Sequence, residues 1–342
     1  MSPAEILPAA SLAEVAARLR SHASYVITGH VDPDPDCLGS MLALAWGLER
    51  LGKRVHVVSP DPVRPEWGFL PGVASVCVPP PVPDAEALVV LDCDLPRTGP
   101  VAQAADRFLH VYNLDHHVTN LAGGTMRYID PMAAATGEIV YAVLVDHWGL
   151  TLDPAVATNL YTALMTDTGS FRYSNTRAET LRIAAALVDA GARPDEIASL
   201  VYEQASWSAM RLLARSLATL DRTPDGRVAW ITVTGQMLAD TGARYDEADG
   251  IVQYARMIKG VEVALIFREL PDGRTRVGMR SRGVVDVSRV AAELGGGGHP
   301  RAAGCTLHLP VELARERVLE AVARALGAVP VGVPADRTEG QG

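Results

Sequence analysis

The chain has 342 residues, 48% apolar and 21% charged, with a formal net charge of −9. That length fits two domains, each large enough for its own core, and no run nears the ~18 uninterrupted apolar residues of a membrane span. The acidic balance argues against holding long nucleic acid by counterion release, and four cysteines without CxxC spacing (Cys37, Cys77, Cys93 and Cys305) argue against a thiolate zinc site or a disulfide framework and fit a reducing cytoplasm.

The first twenty residues lack a basic start followed by an apolar block, so they do not read as a secretory signal. Ser11 and Glu14 instead form the capping box of a first helix. Strand and helix patterns then alternate to about residue 190. YVITG (25–29), RVHVVS (54–59), ALVVLD (87–92) and FLHVYNLD (108–115) read as strands, and Leu38–Leu51, Thr136–His147 and Pro154–Met165 as helices. Pro60–Pro83 is a Pro-rich irregular excursion. Such alternation predicts right-handed βαβ units and a parallel sheet. From Glu179 to Leu220 the period is helical, with ARPDE (192–196) as a turn. A second, smaller α/β unit starts at RVAWITVT (227–234) and continues in VEVALIFREL (261–270) and RTRVGMRSR (274–282), a hairpin through PDG. The expected division is a first domain over 1–190, a helical linker over 191–220, a second domain over 221–330 and a disordered tail over 331–342. Between Arg268 and Arg301 seven arginines stand against four acids, a local basic balance suited to a small anionic substrate.

Six side chains of metal-ligand type fall in four segments: His30, Asp34 and Asp36 in GHVDPDPDCLGS, Asp92 in VVLDCD, His116 in NLDHHVTN and Asp167 in TDTGSFRYSNT. Each acid or histidine comes just past an apolar run, where a buried strand or helix ends. An open α/β sheet gathers ligands at such strand ends. Carboxylate and imidazole donors suit Mn²⁺, Fe²⁺ or Zn²⁺, so the pattern is that of a two-metal hydrolase. Asp34 and Asp36, two apart on extended backbone, point the same way; the same residues also read as an acidic turn capping the next helix. A carboxylate buried at Asp92 needs a cation or hydrogen bonds. Arg172, with Ser170, Tyr173 and Asn175, offers polar contacts to a phosphate or ribose, while Cys37 and Cys93 read as small buried filler. In GGGGHPRAAG (295–304) the glycines read either as a nest of converging N–H groups, helped by His299 and Arg301, or as the C-cap of a helix over Val287–Leu294. With MRSRG (279–283) the segment reads as an anion site.

Together these five segments resemble the DHH phosphoesterase family, named for the triplet at Asp115, His116 and His117, over nearly the whole chain. The resemblance implies a parallel-sheet α/β catalytic domain and a smaller DHH-associated α/β domain that binds substrate, with the active site in the cleft between them. It implies one cation on His30, Asp34 and Asp92, a second on Asp36, Asp92, His116 and Asp167, and Mn²⁺ as the usual ion. Asp115 would orient a histidine, and His117 would face the phosphate and protonate the leaving oxygen. Arg280, Ser281, His299, Arg301, Gly297 and Gly298 would grip the nucleotide. Compact members of this length are similar to nanoRNases, which cut short oligoribonucleotides to 5′-mononucleotides and remove the 3′-phosphate of 3′-phosphoadenosine 5′-phosphate (pAp). The expected partners are short RNA, pAp or other small nucleotides, with no membrane, and a homodimer is compatible. The competing readings are a cyclic di-AMP or pApA phosphodiesterase and a non-catalytic nucleotide-binding protein.

Overall fold

A computed structural model describes residues 10–79, 81–120 and 124–327; the tail expected over 331–342 lies outside them. The chain divides into two compact units at Gln204/Ala205.

The first unit opens with α1 (Leu12–Leu19), whose capping box between Ser11 and Glu14 forms as the sequence predicts. It continues through β1 (Ser24–Thr28), α2 (Pro35–Arg50), β2 (Arg54–Val58), β3 (Ala87–Leu91), the single turn α3 (Pro100–Gln103), β4 (His110–Asp115), β5 (Met126–Ile129), α4 (Thr136–Ala142), α5 (Pro154–Asp167), α6 (Ala178–Asp189) and α7 (Pro194–Tyr202). The sheet is parallel throughout, in the order β2-β1-β3-β4-β5. β1 and β3 are buried along their whole length, as strands covered on both faces must be. Successive residues alternate between two cores. Tyr25, Ile27, Val89 and Leu91 pack with α2, α4 and α5, while Val26, Leu88 and Val90 pack with Val82, Val101 and Phe108. The chain leaves β1 toward β2 on one side and crosses to β3 on the other, so a crevice opens beyond the C-terminal ends of β1 and β3.

Three expectations shift. α2 begins at Pro35 rather than Leu38, because Asp34 caps it by accepting from the Cys37 N–H at 3.0 Å and Pro35 takes the first helical position. β5, with a half-buried arginine in a run of four, carries no alternating signal and was not expected. The helix from Thr136 ends at Ala142 and widens into a π-type turn over Val143–His147.

The second unit comprises α8 (Trp207–Leu217), β6 (Asp221–Arg222), β7 (Val228–Val233), α9 (Gly235–Thr241), α10 (Val252–Arg256), β8 (Val263–Glu269), β9 (Thr275–Ser281), α11 (Val287–Glu293), β10 (Gly297–His299), β11 (Ala302–Leu307) and α12 (Val311–Gly327). Its sheet runs β10-β11-β9-β8-β7-β6, with only β7 and β8 parallel. One face packs on α11 and α12 and the other on α8 and α10. The helical stretch 191–220 is shared between the units: Ile197 of α7 joins the first core and Leu212 of α8 the second.

The glycine run corrects the nest expectation. Gly295, at φ 76°, closes α11, and Gly297–His299 then form an edge strand on β11. A Cβ at Gly296 would come within 2.1 Å of the Gly304 carbonyl oxygen, and one at Gly298 within 2.6 Å of Ala303. Glycine is needed there because two backbones approach closely.

Candidate metal centre

The crevice gathers the six ligand-type residues. His30 lies two residues past β1, Asp34 caps α2, Asp36 sits in its first turn and Asp92 follows β3 directly. His116 follows β4, and Asp167 ends α5. Asp92 holds a left-handed backbone at φ 65°, which costs a non-glycine residue roughly 1–2 kcal/mol and is characteristic of functional positions.

The carboxylate of Asp92 is divided between two groups. Its Oδ2 lies 3.5 Å from His30 Nε2, which is also 3.8 Å from Asp34 Oδ1. Its Oδ1 lies 3.6 Å from His116 Nε2, which is 3.9 Å from Asp36 Oδ2 and 3.5 Å from Asp167 Oδ2. Most of these separations are too long for hydrogen bonds, and they suit donors that each sit about 2.0–2.2 Å from a shared ion. The remote ring nitrogens agree: His30 Nδ1 reaches the Val31 carbonyl at 2.8 Å and His116 Nδ1 the Ala133 carbonyl at 3.3 Å, which leaves both Nε2 atoms free as ligands. Cys37 also lies within reach of His30 and Asp92.

Burial, followed by the Asp36 charge, pushes the pKa of Asp92 well up, and burial raises that of Asp36. Burial and the neighbouring Asp36 and Asp92 carboxylates push Asp167 up to about 9. Burial opposes a charge on His30, but Asp34 and Asp92 beside it outweigh that and raise its pKa. The crowded carboxylates of Asp36, Asp92 and Asp167 repel one another, and cations relieve that repulsion. The residues therefore fit two divalent cations.

Asp115 has another task. It is fully buried, and it accepts from the N–H groups of His116 (2.7 Å) and His117 (3.0 Å), from His117 Nδ1 (2.7 Å) and from Asn120 Nδ2 (2.6 Å). Burial opposes its charge, but the His117 ring outweighs that and keeps its pKa low; the same bond raises that of His117. The His117 side chain is 42% exposed, and Nδ1 is the ring nitrogen that Asp115 engages.

Sequence reasoning missed the residues that brace these ligands. Thr136 N–H donates to Asp36 Oδ2 (2.8 Å), Gly137 N–H to Asp36 Oδ1 (2.9 Å) and the Thr136 hydroxyl to Asp92 Oδ1 (2.8 Å). The available signal was the predicted helix start at Thr136, where free N–H groups collect.

In the second unit a cavity of about 440 Å³ is lined by Arg268, Arg276, Arg280, Gly297 and Gly298. Arg268 and Arg276 are cross-strand partners, and Arg280 lies further along the same face of β9. Arg268 donates to Asp249 at 2.6 Å and lies over the Tyr245 ring. Burial, then the Arg256 and Arg268 charges, lower the pKa of Arg280. Like charges held this close raise the local positive potential, and sequence reasoning had not singled out Arg268 and Arg276. Ser281 is corrected: it is 1% exposed on the opposite face, and its hydroxyl donates to Glu262 at 3.0 Å and accepts from Gly283 N–H at 2.9 Å. Ser281→Ala should therefore cost about 1–3 kcal/mol of stability in denaturant melts and leave KM unchanged. His299 and Arg301 are exposed around the β10–β11 turn, outside the cavity lining, with the Arg301 guanidinium beside Gly283. In the first unit Arg172 is exposed and donates to the Gly169 carbonyl at 2.6 Å.

Residues 24–165 match the DHH family, N-terminal domain, and residues 228–328 match the DHHA1 domain. The chain is 38% identical over 305 residues to the bifunctional oligoribonuclease and PAP phosphatase NrnA of Thermus thermophilus, covering 88% of this chain and 90% of that protein. It is 26% identical to the cyclic-di-AMP phosphodiesterase PdeA of Listeria monocytogenes, over 80% of this chain but 43% of that protein. An exopolyphosphatase-related protein from Bacteroides fragilis shares the fold, with a TM-score of 0.85 at 24% identity over 92% of this chain and 96% of that one. With the divided aspartate, the Asp-His-His triplet and both domains in place, the chain belongs to the DHH family.

Proposed function

We propose that this chain is a two-metal phosphoesterase that releases 5′-mononucleotides from short oligoribonucleotides and converts pAp to AMP. The observation that carries this is the carboxylate of Asp92, with a ligand group on each oxygen. The two activities in the name of the Thermus thermophilus relative support the choice of substrates, whereas the likeness to PdeA extends over less than half of that protein. A complete set of six ligands argues against a non-catalytic nucleotide binder.

His30, Asp34 and Asp92 would hold one cation, and Asp36, Asp92, His116 and Asp167 the other, with Mn²⁺ the ion proposed. When bound, the pair supplies Lewis-acid stabilisation of charge on the phosphoryl group. The chain's own residues do the rest. Asp115 keeps His117 Nδ1 engaged and aims the ring, so Nε2 can hand a proton to the leaving oxygen. Arg268, Arg276 and Arg280 grip a second phosphate or the adjoining nucleotide. A longer strand gains few contacts on a net-acidic protein, which favours short substrates. The free cysteines support a cytoplasmic location.

Mn²⁺-loaded protein is expected to release mononucleotides from two- to five-residue RNA and AMP from pAp, and EDTA should abolish both. If both substrates stay intact with Mn²⁺, the proposal fails. Faster turnover of pApA or cyclic di-AMP than of either would reassign the substrate. Arg280→Ala should raise KM about tenfold or more, the loss of a charged hydrogen bond, with kcat little changed. A collapse of kcat would contradict a purely binding role.

A further inference from the structure

Residues Ala133–Gly137 touch three of the four ligands assigned to the second cation. The Ala133 carbonyl meets His116 Nδ1, Thr136 N–H and Gly137 N–H take one oxygen each of Asp36, and the Thr136 hydroxyl takes Asp92 Oδ1. This stretch is buried, and side chains hold both polar atoms of Ala134. Glu138 Oε2 accepts from its N–H at 2.6 Å, and Asn175 Nδ2 donates to its carbonyl at 3.0 Å. Asn175 Nδ2 also lies 3.1 Å from the backbone carbonyl of Asp167, which supplies the fourth ligand. Glu138 is itself held by Arg177 Nη2 at 2.8 Å and by the Thr180 hydroxyl at 3.4 Å.

We propose that Asn175 and Glu138 are positioning residues for the second cation, acting through the Ala133–Gly137 segment as a clasp. The inference rests on the two-metal assignment above. Its physical basis is selectivity. The clasp contacts Asp36, Asp92, His116 and the backbone of Asp167, and no hydrogen bond among the described residues joins it to His30 or Asp34. An ion needs its donors at fixed separations, and partners of this kind change metal affinity about 10–100-fold when removed. Loosening the clasp therefore weakens one ion far more than the other.

The test is calorimetric titration of the metal-free full chain with Mn²⁺, together with thermal melting in EDTA, for wild type, Asn175→Ala, Thr136→Val and the double variant. Asn175→Asp, similar in size but without the donor, and Glu138→Gln are further variants. Wild type should take up two ions. Each single variant should weaken one class of site by about 10–100-fold and leave the other within about twofold, with the metal-free melting temperature lowered only by the few degrees that a lost buried hydrogen bond costs. The double variant should lose less than the product of the single losses, because Asn175 acts through the segment that carries Thr136. Equal weakening of both classes, unchanged affinity with a lower melting temperature, or fully multiplicative losses would each overturn the clasp alone. A wild type that takes up no ion would overturn the two-metal reading and the clasp with it.

Discussion

Asp92→Ala is expected to take up neither cation and to lose turnover by roughly 10⁴-fold or more, ~5.5 kcal/mol at 1.36 kcal/mol per decade. The size follows from position: Asp92 alone has an oxygen beside each ligand histidine, His30 and His116, among the described ion pairs. Asp34→Ala, by contrast, removes a carboxylate that, among the described ion pairs, faces His30 and no second ligand histidine. Metal analysis by mass spectrometry, run beside the activity assay, checks the claim, and two ions per chain in the variant would end the bridging assignment. A second consequence concerns stability. Burial and Asp36 raise the pKa of Asp92 in the folded protein. A carboxyl with a raised folded pKa loses stability as pH rises above its unfolded value, so at neutral pH this group destabilises the metal-free chain. Asp92→Asn keeps an acceptor for the Thr136 hydroxyl and removes the charge. It should melt a few degrees higher than wild type in EDTA and gain nothing from added metal.

His117→Ala should retain both cations while kcat falls about 10²–10⁴-fold, the range for a lost general acid. The ring nitrogen nearest Asp92 is 3.8 Å from it and is already bonded to Asp115 at 2.7 Å, which under the proposed assignment leaves the other nitrogen for proton transfer. Metal titration and single-turnover kinetics separate the two roles. Loss of an ion on substitution would make His117 a ligand, and an unchanged kcat would remove it from the chemistry. Asp115→Asn should lower kcat in the same direction, because the amide no longer pairs with a charged ring.

Much of this architecture was legible because its signals are local. Apolar strand runs broken by Asp or His located the ligands at the ends of β1 and β3, and the alternation of strand and helix announced the parallel sheet. Of the two readings of the glycine run the helix cap holds at Gly295, but the pairing of Gly297–His299 with β11 left no trace, because residues without side chains carry no alternation. Ser281 was misread for a different reason. Its signal was present, since Val277 and Met279 share its parity and line the core, but the assignment followed the family resemblance rather than the period of two.

By itself, the sequence determined which donor atoms this protein can offer a metal and that strand ends would present them, since residue type and periodicity are properties of a single stretch of chain. Only the tertiary structure decided which oxygen of Asp92 faces which histidine, and that Thr136 and Gly137 brace Asp36. Those are relations between segments tens of residues apart, and their distances and angles exist only once sheet register and helix packing have placed the backbones.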